Sequence, residues 1–154
     1  MLENAGTPEL QPLMAAHARD LVALTLGATR DAAQAARSGG LRAARLQALL
    51  SEIAANFARP EFSIEYLARK LALSPRYMQE LLHEEGASFT ERVLELRLQR
   101  ARAILADQRN NGRNVLEIAL DAGFNDGSYF NRRFRARFGA PPSVFRGTDA
   151  AATH

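Results

Sequence analysis

The sequence predicts an all-α protein: two helix-turn-helix subdomains joined by a long helix and preceded by an N-terminal helical segment. Three observations predict it. Apolar residues recur at helical spacing along nearly the whole chain, no stretch alternates as a strand does, and one stretch is written twice. Leu67, Ala68, Leu71, Ala72 and Leu73 correspond, 51 positions on, to Ile118, Ala119, Ala122, Gly123 and Phe124. With one extra residue in the second turn, Met78 and Leu82 then correspond to Phe130 and Phe134. An apolar residue, then alanine, then a small residue and a helix restart is what two closely crossing helices need, and Ala68 and Ala119 are the expected contact points.

The elements follow in order. Residues 9–26 carry Leu10, Leu13, Met14, His17, Leu21 and Leu24 on one helical face, and a loop is expected near "RSGG" at residues 37–40. Residues 41–57 repeat the pattern and Pro60 closes that helix. Two short helices follow, interrupted at Ser74-Pro75, where serine suits an N-cap and proline the first helical position. Ser88 with Glu91 resembles a capping box and opens a helix to about Asp107, with Val93, Leu94, Leu98, Ala101, Ile104 and Leu105 on its apolar side. "RNNGRN" reads as a loop. Asn114 with Glu117 starts the next helix, Gly123 ends it, and another runs from about Asp126 to Phe138 before Gly139. Pro141-Pro142 sets up a last turn or short helix. The division expected is 1–40 as the N-terminal segment, 41–87 and 112–147 as the two subdomains, 88–107 as the connecting helix, and 148–154 as a flexible tail.

Length and composition narrow the classes. A chain of 154 residues, 47% apolar, is one domain or two very small ones with a core to bury. No run of apolar residues is long enough to cross a bilayer and no signal peptide opens the chain, so a cytoplasmic protein without membrane contact is expected. With no cysteine, disulfides, thiolate metal sites and cysteine nucleophiles are excluded together. The net charge is only +3, but it is unevenly spread. Residues 41–96 hold seven basic and eight acidic side chains, whereas residues 97–146 hold ten arginines and four acids. Lys70 is the only lysine, so nearly every positive charge is a planar guanidinium fork suited to phosphate or guanine. Genomic base content alone can also enrich arginine and alanine, so the arrangement decides.

The arrangement is informative in "GFNDGSYFNRRFRARFG", residues 123–139. At about 100° per residue, Phe130, Phe134 and Phe138 share one face, Ser128, Arg132 and Arg135 lie opposite, and Asn131 is on the flank. The phenylalanines are expected to anchor the helix so that the other face lies in a DNA major groove, where arginine pairs with guanine and asparagine with adenine. The plainer reading is an amphipathic helix with a solvated arginine face; the repeat argues against it. The connecting helix, residues 88–107, would span about 30 Å, close to the roughly 34 Å between successive major grooves on one face of the duplex.

These residues resemble a known family. "IALDAGFNDGSYFNRRFRARFGAPPSVFR" is similar to the C-terminal signature of AraC/XylS-type transcription regulators, with Ile118, Ala119, Gly123, Phe124, Ser128, Phe130, Arg132, Phe134, Gly139, Pro142 and Arg146 at the motif positions. Residues 41–147 follow that family's DNA-binding domain in length and order. The resemblance implies a seven-helix domain that reads double-stranded DNA from the second helix of each helix-turn-helix. It implies contacts from Arg76, Gln79 and Glu80 in the first unit and from Gly127, Ser128, Asn131 and Arg132 in the second. The partners it implies are an operator duplex and RNA polymerase, as for an activator. The chain departs from the pattern at Glu80, where many relatives carry arginine, and at Leu82 and His83, where phenylalanine and lysine are usual. Glutamate is repelled by phosphate and can accept from cytosine, so the first unit is expected either to add less affinity than the second or to read a cytosine.

Family members usually carry a larger sensing or dimerising domain ahead of this part. Residues 17–46 resemble the helical end of such a domain, and forty residues are too few to form the sensor. The chain is therefore expected to be a piece of a longer regulator or a short product that keeps only the tail, with a small-molecule effector only in the first case. The stripe in residues 9–26 then packs on the DNA-binding part or forms a homodimer contact. Catalysis is not expected: His83-Glu84-Glu85 lacks the second histidine of a metalloprotease helix, since Ala87 stands there, and Ser128 has no partner histidine in the motif. No cofactor or metal is expected. The rival to DNA reading is a helical protein-interaction adaptor, which leaves the repeat and its arginine face unexplained.

Overall fold

The computed structural model describes residues 10–147, without the side chains of residues 10–18 and of Asp20. The tail expected at 148–154 and the side chains of Leu10, Leu13, Met14 and His17 thus lie outside the described residues. Six α-helices follow in order: α1 Leu10–Asn56, α2 Ile64–Leu71, α3 Pro75–Glu84, α4 Phe89–Ala106, α5 Val115–Asp121 and α6 Gly127–Phe138. Short 3-10 turns occupy Gln108–Asn110 and Pro142–Phe145, and there is no strand among the described residues. The all-α expectation holds.

The loop expected at residues 37–40 does not form, because α1 runs through Gly39 and Gly40 as one helix of 47 residues. Glycine costs a helix about 1 kcal/mol relative to alanine. Here the flanks, "AAQAAR" before and "LRAARL" after, are among the best helix formers and carry the helix across. The chain forms two units that part between Arg45 and Leu46. In the first, Leu21 and Leu24 are exposed.

In the second unit each helix start is fixed by a side chain. Ser63 caps α2 by accepting from the Tyr66 N–H, Ser74 caps α3 with Pro75 at the first position, and Ser88 and Glu91 form a reciprocal capping box on α4. Asn114 caps α5 and Asp126 caps α6. The repeat extends to the backbone: Leu73 donates to the Ala68 carbonyl as Phe124 does to that of Ala119. At the matching turn positions Ala72 has φ 52° and Gly123 has φ 100°. Glycine enters the left-handed region freely, whereas Ala72 adopts it as the exposed cap of α2, where its own N–H and that of Leu73 donate to the Ala68 carbonyl.

Two apolar cores result. The first holds Leu49 and Ile53 of α1, Leu67 of α2, Met78, Leu81 and Leu82 of α3, and Phe89 and Val93 of α4. The second holds Leu98, Ala101 and Leu105 of the same α4, Ile118 and Ala119 of α5, and Phe130 and Phe134 of α6. The connecting helix is therefore a wall of both. Phe124, Phe130, Phe134 and Phe138 stack in sequence with ring centroids 4.6 to 5.4 Å apart. Arg146 closes the second core by donating to the Asn111 and Arg113 carbonyls. Where the resemblance implies a seventh helix, Pro142–Phe145 forms only a 3-10 turn, ended by the extended backbone of Arg146 at ψ 121°. Among the described residues no helix is long and apolar enough to cross a membrane.

Candidate nucleic-acid interface

In the first subdomain the turn at Ala72–Ser74 reverses the chain between α2 and α3. Because Met78, Leu81 and Leu82 are buried, α3 turns Arg76, Gln79, Glu80 and His83 outward, and all four are exposed. Arg76 and Glu80, one helical turn apart, form an ion pair at 3.2 Å, with the arginine side chain 91% exposed. The most outward guanidinium of this helix thus already has a carboxylate partner. With Glu84 and Glu85 following, this face carries no excess of positive charge.

The second subdomain has the opposite balance. Phe130 and Phe134 are fully buried, which places Ser128, Asn131, Arg132 and Arg135 on the exposed side of α6. Arg132 and Arg135 form no ion pair among the described residues. Gly127 differs from its neighbours: it is half-buried, and a Cβ there would lie 2.8 Å from Leu116 Cδ1. That atom is the tip of the exposed Leu116 side chain, so the contact marks where α6 begins beside α5.

Arg137 departs from the sequence expectation. Its place near the end of the helix, toward the phenylalanine side, predicts contact with phosphate or solvent, but its Nε and Nη2 donate to both carboxylate oxygens of Glu95 on α4, at 2.8 to 3.1 Å. That fork holds the Glu95 carboxyl below the usual glutamate range, opposed by partial burial and aided by Gln99. Helix α6 is thereby tied to α4. Arg97, which the sequence reading passes over, is tied the other way: its guanidinium donates to the Phe57 carbonyl at 2.7 Å and the Arg59 carbonyl at 3.0 Å. Burial lowers its pKa. One signal was available, since Arg97 is a charge set within the apolar side of α4, between Val93 and Ala101; its partners 38 and 40 residues away were not readable.

Two short paired helices, repeated on either side of a shared helix and each exposing a polar face on its second member, define a helix-turn-helix DNA-binding protein. The comparisons agree. The family model described as a helix-turn-helix domain matches residues 67–148. The transcriptional activator RhrA of Rhizobium meliloti is 36% identical over 108 residues, which cover 70% of this chain and 34% of that protein. A transcriptional regulator from Chromobacterium violaceum with an AraC-type DNA-binding domain superposes with a TM-score of 0.61 at 28% identity, over 71% of this chain and 95% of that one. A DNA-binding transcriptional dual regulator from Escherichia coli K-12 does so with a TM-score of 0.56 at 27% identity, over 66% and 93%. The chain belongs to the AraC/XylS-type family of helix-turn-helix transcription regulators. It spans about a third of the length of the curated relatives it matches.

Proposed function

We propose that the chain is the sequence-reading part of a cytoplasmic transcription regulator and sets α3 and α6 into successive major grooves of one operator. The observation that carries this is the doubled helix-turn-helix sharing α4, whose 18 residues span about 27 Å. Arg132 and Arg135, unpaired and opposite the phenylalanine anchor, supply guanine or phosphate contacts, with Asn131 reading adenine and Ser128 the adjoining backbone or base. Gly127 lets the start of α6 approach. In the first unit Gln79 and Arg76 meet the duplex while Glu80 either accepts from cytosine or restrains Arg76, so this unit adds selectivity more than affinity. Residues 41–87, 88–107 and 112–147 serve as first reader, spacer and second reader. Residues 1–40 serve as the tail of a sensing or dimerising part, whether that part accompanies this chain or only its tail is kept. The exposed Leu21 and Leu24 support a contact with a second copy there. RNA polymerase is the protein partner of a regulator so placed, and a small-molecule effector enters only where a sensing domain accompanies this chain.

A salt titration on a duplex selected by the chain from a random pool tests the reading against a protein-interaction adaptor. Each phosphate neutralised contributes about −0.9 to the slope of log K against log salt. A slope of about −4 or steeper is expected. A flat titration, or no selected sequence, would leave the adaptor as the better account.

A further inference from the structure

The two readers meet at a second place besides α4. Phe57, Ala58 and Arg59 form the turn that follows the end of α1 at Asn56, where the Arg59 N–H donates to the Asn56 carbonyl and the Phe62 N–H to that of Arg59. Arg97 reaches across from α4 and donates to the Phe57 and Arg59 carbonyls. From the other side comes Gly123, in the turn between α5 and α6. A Cβ on Gly123 would lie 2.8 Å from the Ala58 carbonyl oxygen and 2.8 Å from Arg97 Nε. Backbone of the second reader therefore abuts backbone of the first against one guanidinium. Beside this junction, Phe62 and Phe89 of the first core face Phe124 and Tyr129 across a cleft of about 170 Å³ that Arg97 also lines. A single shared helix leaves its two ends free to bend and twist relative to each other; a second contact away from its axis removes that freedom.

We propose that Arg97 is a positioning residue that fixes the separation and tilt of α3 and α6, and so sets the half-site spacing the chain accepts, without touching DNA itself. The inference rests on the two-groove reading. Its test uses the selected duplex and derivatives with one or two base pairs inserted between the half-sites, each insertion turning the outer half-site by about 35°. For the parent chain one insertion should weaken binding about tenfold or more, because both readers can no longer engage together. Arg97→Ala should bind the native spacing more weakly yet lose less than about threefold on insertion, and should bind the isolated second half-site like the parent. Arg97→Lys, which keeps the charge but not the two-carbonyl fork, should fall between. A merely destabilised protein would lose both half-site and full-site binding and keep the parent's spacing profile.

A measurement without DNA covers the case of a variant that folds poorly. The chain has no cysteine, so spin labels can be placed at Gln79 and Arg135 alone. The label separation should be one narrow distribution in the parent and should broaden in Arg97→Lys. Unchanged distributions with unchanged spacing profiles would overturn the role of Arg97. A parent chain that protects only one groove would instead remove the two-groove reading on which it rests.

Discussion

At the residue scale, what separates the arginines is their partners. Arg137 is spent on Glu95 and Arg76 on Glu80, whereas Arg132 remains unpaired on the exposed side of α6. Arg132→Ala should therefore lose about 1–3 kcal/mol at the preferred site and relax selection at one base pair. Its thermal stability should hardly change. Binding to single-base variants at fixed salt checks this, and uniform weakening across all variants would reduce Arg132 to a phosphate contact. Arg137 belongs to a different experiment. Its fork holds the Glu95 carboxyl below the ordinary range, so that carboxylate stabilises the fold above the unfolded pKa. The contribution disappears as pH falls through the lowered value. Both side chains are nearly half exposed, so the effect is small. In urea unfolding from about pH 7 to about pH 3, the gap between the parent and Glu95→Gln should close on acidification; a constant gap would contradict the ion pair. Periodicity made the outward face of Arg132 legible, but not the Glu95 partner, 42 residues away from Arg137.

At the element scale, caps and turns were the readable part. Ser74-Pro75, the Ser88 and Glu91 pair, Asn114 and Gly139 each act within a few residues of themselves, so their meaning survives without tertiary structure. Gly39-Gly40 misled for the same reason: glycine lowers helix propensity locally, and only the sum over its alanine-rich flanks keeps α1 continuous. The last turn or short helix set up by Pro141-Pro142 forms as a 3-10 turn over Pro142–Phe145. The phenylalanine stripe makes the strongest element-level prediction. Phe134 is fully buried and stacks on Phe130, Phe138 and Phe145. Phe134→Ala should cost about 3–5 kcal/mol and abolish binding by unfolding the second reader. Calorimetry showing an unchanged melting temperature would mean that the stripe is not the anchor of α6.

At the scale of the whole molecule, the repeat made the doubled architecture legible, since it duplicates both the buried positions and the turn between them. The sharing of α4 by two cores was legible only in part: its length and apolar side were plain, while its lateral ties through Glu95 and Arg97 needed the fold. The unequal charge of the two halves of the sequence becomes two unequal exposed faces, with Arg132 unpaired on α6 and Arg76 paired to Glu80 on α3. That the two readers act together on one face of the duplex is the central claim. The most direct measurement is chemical protection of the selected duplex at guanine N7, which lies in the major groove. The account predicts two protected windows centred about 10 base pairs apart on one face, with the window read by α6 persisting at higher salt. A single protected window, unaffected by mutating Gln79 and Arg76 on α3, would contradict it.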